Sequence, residues 1–138
     1  MTYQSPQAAL DDADRLANAA RRSGRWYANY LVAYAIGTLI LALLVGAFPG
    51  SFGAVVGIGI WLVLVAALTI YQYRQRATIK RFGALHSIVI AVWGVLWIIT
   101  VVVGSLYFVG QLGWWIGAGI ATALPPLVGA VVVYRQTR

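Results

Sequence analysis

The chain contains no cysteine, a single histidine and only three carboxylates in 138 residues. Without cysteine there is no disulfide, iron–sulfur cluster, Cys-ligated zinc or thiol nucleophile. The carboxylates Asp11, Asp12 and Asp14 all lie near the N-terminus, and no acidic residue follows them. Acid–base pairs, Ser/His/Asp sets and His/Asp/Glu metal clusters have no members to draw on beyond that point. No catalytic, cofactor-binding or metal-ligating set is therefore expected. The aspartates lack supporting ligands and read as helix-capping charge. Charged residues make up only 9% of the chain, against about 25% in soluble domains, which leaves too little polar surface to cover a water-soluble core.

What is abundant is apolar: 62% of the residues, gathered in runs of the length that crosses a hydrocarbon core of about 30 Å at 1.5 Å per residue. Four spans are expected, at about 26–48, 52–73, 84–109 and 114–134. They are separated by Pro49-Gly50-Ser51, a basic connector from Arg74 to Gly83, and the turn Gly110 to Gly113. The first apolar run is about twice as long as a signal-peptide core and no small-residue cleavage site follows it, so it reads as a signal anchor. The expected class is all-α: an integral membrane four-helix bundle running up-down-up-down, with sequential helices as antiparallel neighbours. Two regions follow, a polar leader over 1–25 and a four-transmembrane-helix domain over 26–138.

Within the leader, residues 5–23 read as a short cytoplasmic or interfacial helix. Ser5 suits the N-cap and Pro6 the first helical position. The aspartates lie toward the positive end of the dipole and Arg21 and Arg22 toward the negative end. Gly24 is placed as a stop. The Ala-rich stripe of Leu10, Ala13, Ala17 and Ala20 suits a solvated leader, with docking on a partner or on the membrane surface as the alternative.

Charge sets the orientation. Arg15, Arg21, Arg22 and Arg25 precede the first span. Arg74, Arg76, Lys80 and Arg81 lie between the second and third, and Arg135 and Arg138 follow the fourth, which accounts for all ten basic residues. The two opposite turns carry no charge. Short-loop Lys/Arg bias places both termini and the basic connector in the cytoplasm. The formal charge of +7 then reflects topology and anionic headgroups, with Arg74, Arg76, Lys80 and Arg81 as the lipid or partner contact. Specific nucleic-acid binding is not expected. Aromatic residues form two belts at the headgroup levels: Trp26, Tyr27, Tyr30, Tyr71, Tyr73, Phe82 and Tyr134 on the basic side, and Phe48, Phe52, Tyr107, Phe108, Trp114 and Trp115 on the other.

Inside the spans, three features are organised. Gly53, Gly57 and Gly59 open the second span, and Gly113, Gly117 and Gly119 repeat the same spacing in the fourth. Small residues let helix backbones approach closely in lipid, so these six are the candidate packing positions, within the monomer or between copies. Pro125 and Pro126 fall in mid-span, each removing a backbone donor, and predict a kink at Ala121–Pro125. His86, Ile90, Trp93, Trp97, Thr100 and Gly104 form one stripe on the third span, with Trp61 of the second at a matching depth. That stripe lines either a pocket or the packed seam of the bundle, and seam is the preferred reading. Each indole N–H at that depth needs an acceptor, for which Thr38, Thr69, Thr100 or a freed carbonyl is available. His86 reads as an interfacial histidine bonded to a carbonyl, phosphate or water, the alternatives being a pH-responsive group or a haem ligand.

The layout resembles that of small four-span membrane proteins of high-GC Gram-positive bacteria. The likeness is carried by the entry Arg25-Trp26-Tyr27, the basic middle connector, Ala/Gly/Val-rich spans and the excess of Arg over Lys. It implies a bacterial cytoplasmic membrane and no particular activity. Small multidrug-resistance transporters also have four spans, but the intramembrane glutamate on which they are built has no counterpart between Tyr30 and Leu44. The expected function is non-enzymatic: a membrane protein acting by helix or partner contact, as an accessory or assembly subunit or a homo-oligomer. The alternative is an uncoupled small-molecule or ion pathway through an oligomer, lined by Thr38, Thr69, Thr100 and Thr122. Reporter fusions test the orientation. Fusions at either terminus or in 74–83 are expected to report the cytoplasmic side, and insertions at 49–51 or 110–113 the opposite side.

Overall fold

The computed structural model describes residues 5–74 and 79–138; side chains at 23, 72, 73 and 79–82 lie outside that description. The described chain is all-helical: α1 (Pro6–Ala47), α2 (Ser51–Arg74), α3 (Ile79–Tyr107) and α4 (Leu112–Gln136). All four are long and apolar enough to cross a membrane. By length and composition this is a multi-pass membrane protein built as a four-helix bundle.

Each end of a helix has a local cause. Ser5 caps α1 by accepting the amide of Ala8 at 3.3 Å, with Pro6 just inside. At the charge-free end the chain reverses through Gly50 and Gly110, whose φ values of +111° and +73° are strained for any residue with a Cβ. The expected stop at Gly24 is not used. Leader and first span form one helix of 42 residues, about 63 Å long at 1.5 Å per residue. Gly24 serves another purpose: a Cβ there would run into the side chain of Thr137, at the end of α4. Glycine at 24 permits a close approach, and a helix interior accepts it for about 1 kcal/mol. Residues 6–22 thus extend past the end of the bundle, with Leu10 and Leu16 exposed.

The tightest seam joins the first and last helices. Gly24 meets Thr137, Gly129 meets Leu31, Gly119 meets Ala42 and Leu39, and Gly46 meets Trp115. One antiparallel register runs through all four contacts, with glycine supplied by α1 at the two ends and by α4 in the middle. The same register sets Thr38 opposite Thr122, both fully buried. α2 attaches to α1 where Gly57 faces Leu41 and Val45, and where Gly37 faces Leu64 and Trp61. α3 attaches to α4 through Gly104, against Trp114 and Trp115, while Val89 of α3 packs on Gly129. Among the described residues α2 and α3 come nowhere within 8 Å, Cα to Cα. The helices around the bundle therefore run α2, α1, α4, α3, with a gap between the two flanking members. Two of the three sequential pairs are neighbours, and the closest pair is not sequential.

Core residues concentrate near the basic end, where Trp26, Tyr27, Ala28 and Leu31 pack on Val89, Ala130 and Val133. Three residues expected in the interfacial belts are buried there or at the far end: Trp26, Tyr27 and Trp115. Bulky rings fill the widening ends of the bundle, Trp115 against the bare backbones of Gly46 and Gly104. Tyr73 and Phe82 lie outside the described side chains. Two substitutions separate a packing glycine from a free one. At Gly46, a Cβ would lie 2.5 Å from both Cβ and Cγ of Trp115. Gly46→Val is therefore expected to lower stability in detergent by about 1–3 kcal/mol, the range for overpacking. Gly59 has open space around it, so Gly59→Ala is expected to be neutral or to stabilise by up to about 1 kcal/mol through helix propensity. Thermal unfolding followed by near-UV circular dichroism distinguishes the two.

Candidate functional site

The gap between α2 and α3 is held open by aromatic side chains. Trp61 of α2 stacks on Trp93 of α3, with ring centroids 5.4 Å apart and planes 17° off parallel. Tyr34 of α1 meets both indoles edge-on, at 5.0 Å from Trp61 and 5.2 Å from Trp93. One turn along α3, Trp97 stacks on Trp93 at 6.1 Å. These separations lie within the favourable range of roughly 4.5–7 Å for aromatic pairs. Two rings stacked between two helices hold the backbones farther apart than leucine or glycine would. Aromatic contact, not backbone approach, closes this side of the bundle.

A single hydroxyl orients the stack. Thr38 donates to the carbonyl of Tyr34 at 2.9 Å and accepts the indole N–H of Trp93 at 3.1 Å. In a water-free interior each polar group needs such a partner. Thr38 was among the acceptors expected for these indoles. The other threonines are used differently. Thr122 donates to the carbonyls of Ala118 and Gly119. Thr69 bonds its own helix at Val65 and is exposed, while Thr100 is buried and its carbonyl accepts the indole N–H of Trp114 at 3.4 Å. Thr38 and Thr122 thus face each other across the seam, Thr100 and Thr122 line one groove, and Thr69 lies apart from the buried three.

Toward the basic end the stack continues through Tyr30, Tyr27 and Trp26. His86 is part of it. Its Nδ1 shares a 3.1 Å hydrogen bond with the hydroxyl of Tyr27, the donor being set by the imidazole tautomer. The histidine is thus tied to a neighbouring helix rather than to a carbonyl of its own.

Toward the charge-free end the stack stops at Trp61 and Trp97, and beyond it lies a half-open cavity of ≈ 530 Å³. Leu41 and Val45 of α1 and Trp115 of α4 form its back. Ile58 and Val101 face each other from the flanking helices, and the turns at Pro49–Ser51 and Val109–Gly110 form its rim. Among the described residues, none that lines it is charged. The four residues expected at a pocket or seam are therefore divided between two roles: His86 and Trp93 of the stripe belong to the seam, while Trp97 of the stripe and Trp61 of α2 belong to both seam and cavity floor.

The candidate packing glycines also divide. Gly53 sits under the carbonyl of Phe48 and Gly57 against Leu41, while Gly119 is pressed on Ala42; Gly59, Gly113 and Gly117 face open space. Gly24, which reads as a stop, Gly104, which reads as part of the α3 stripe, and Gly37, Gly46 and Gly129, which the sequence reading did not single out, all approach another helix or its cap. None is part of the G-xxx-G-x-G pattern that drew attention to the others. Pro125 and Pro126 lie inside an α4 that runs unbroken to Gln136, and Pro126 is fully buried. Of the basic contact residues, Arg74 is exposed in the last turn of α2 and Arg76 falls outside the described residues. Lys80 and Arg81 lie on the first turn of α3, with side chains outside the description. Among the described residues, no group of three His, Cys, Asp or Glu converges to hold a metal.

No protein-family model matches the chain, and no curated protein or solved structure matches it. The function must be argued from the residues in place. Thr38→Val keeps the volume but strands the Trp93 N–H, with an expected loss of about 1–3 kcal/mol. Thr38→Ser retains the acceptor and should lose less. Unfolding in micelles, read by tryptophan fluorescence, measures both.

Proposed function

We propose that this is a non-enzymatic membrane protein acting through helix contact, as an accessory or assembly subunit or as a homo-oligomer. The observation that carries this reading is the open face of α4. Gly113 and Gly117, four residues apart, have nothing within 4 Å of where a Cβ would stand, whereas Gly119 and Gly129 of the same helix are used in internal packing. Ala121 continues the bare face for another turn, and beside it a shallow groove of ≈ 380 Å³ runs between α3 and α4, with Leu96 and Ile99 on its far wall. In lipid, helices associate through close packing rather than hydrophobic burial, so a glycine face free of internal partners is suited to another helix. Exposed apolar side chains along α2 and α3 widen the surface on which a membrane partner can sit.

The proposal includes an orientation and a place. The basic end faces the cytoplasm of a bacterial cell membrane, supported by the charge-free turns opposite it. Arg25, Arg74, Arg135 and Arg138 are exposed at that end, where basic residues contribute about 1 kcal/mol each against an anionic leaflet. Anionic headgroups are thus the lipid partner.

One glycine pair and one single glycine make the test. Gly113→Leu with Gly117→Leu is expected to leave the monomer folded, because both sites are open, and to abolish the larger species recovered from native membranes after in-cell crosslinking. Gly119→Leu is expected to destabilise the monomer instead, since its Cβ would come within 2.9 Å of Ala42. A Gly113/Gly117 variant whose assembly is unchanged in size and composition would refute the contact reading.

A further inference from the structure

We propose that the cavity between α2 and α3 is a seat for one acyl chain of a bilayer phospholipid, taken from the leaflet at the charge-free end. The argument begins with depth. On α2 the cavity wall runs from Ser51 at the rim to Trp61 at the floor, about 15 Å at 1.5 Å per residue. That is the hydrocarbon depth of one leaflet, half of a core about 30 Å thick. The indoles of Trp61 and Trp97, each stacked on Trp93, close the slot at the level where the opposite leaflet begins.

Volume and chemistry together suit the occupant. A cavity of ≈ 530 Å³ lies in the range of about 300–1,000 Å³ that takes a small apolar ligand, and its depth matches a single polymethylene chain of one leaflet. Access is lateral, because among the described residues α2 and α3 have no Cα atoms within 8 Å of each other, so a lipid enters from the bilayer without passing through water. The walls are aliphatic and aromatic, from Leu41, Val45, Ile58, Val101 and Trp97. They reward chain methylenes and offer no partner to a charged ligand.

The rim adds a second property. Its residues, Pro49, Gly50, Ser51, Val109 and Gly110, are neutral. The seat is therefore blind to headgroup charge, unlike the arginine-rich end of the same molecule.

The test uses the full chain in nanodiscs containing a trace of phospholipid with a diazirine in its acyl chain, photolysed and mapped by mass spectrometry. Adducts are expected to concentrate on Ile58, Val101 and Ser105, which line the cavity, over Val63 and Leu106, which face outward on the same helices. Phosphatidylcholine and phosphatidylglycerol probes should label the cavity equally. Ala54→Trp fills the slot from α2 and Ser105→Trp from α3. Each should reduce cavity adducts severalfold by taking up the volume that the chain would occupy, leaving Val63 adducts unchanged. Two variants guard against one that misfolds. Even labelling of cavity and outward positions would overturn the proposal, as would adducts unaffected by both variants. Labelling by a free diazirine fatty acid but not by the phospholipid probe would assign the slot to a detached amphiphile and overturn it equally. The readout does not depend on self-association, so it stands or falls apart from the Gly113–Gly117 face.

Discussion

In a bilayer, apolar side chains gain little by leaving lipid for protein, so helices hold together only where their surfaces meet closely. The α1–α4 seam meets this constraint with a glycine at each of four levels, and every other element hangs on that seam. At the two ends, α1 supplies the bare backbone, Gly24 for Thr137 and Gly46 for Trp115. In the middle, α4 supplies it, Gly119 for Ala42 and Gly129 for Leu31. Between them Thr38 and Thr122 are buried with hydroxyls bonded to their own helices. Polar atoms are thereby satisfied without water, as hydrocarbon surroundings demand. α2 is attached to one member of this pair and α3 to the other.

The opposite principle governs the flanks. Where the central pair uses the smallest residue to close a gap, α2 and α3 use the largest to keep one. Trp61 and Trp93 stacked face to face, with Tyr34 edge-on beneath them, act as a spacer. The spacer reaches only part-way along the helices, so beyond Trp97 the space it creates is unfilled and becomes the cavity. Seam and cavity thus have one cause, and Thr38 links them by bonding Trp93 from the middle of the α1–α4 contact.

The two ends of the molecule are chemically distinct. One carries Arg25, Arg74, Arg135 and Arg138 and the long projection of α1; the other has short, neutral turns whose left-handed glycines, Gly50 and Gly110, bring the helix ends together. A charged end and a neutral one present different surfaces to the two leaflets, which matters for lipid contact as well as for orientation.

Much of this was legible in one dimension. Four apolar runs, the Ser5-Pro6 helix start and the two turns follow from the local order of residues, because span length and capping are local properties. The presence of tryptophans at a depth requiring a hydrogen-bond acceptor was legible too, with Thr38 among the candidates. The uses of the glycines were not. Gly53-xxx-Gly57 and Gly113-xxx-Gly117 read identically, yet the first pair is pressed against Phe48 and Leu41 and the second faces open space. Gly24 reads as a stop and proves to be a contact. Whether a small residue packs or is bare depends on how its helix is rotated and in what register it meets its neighbour. Those quantities are set by all four helices together, and spacing along a single helix does not carry them. Sequence by itself determined how many helices cross and which end is basic. Tertiary structure alone decided that the first and last helices would form the core, and that the tryptophans would leave a cavity beside it.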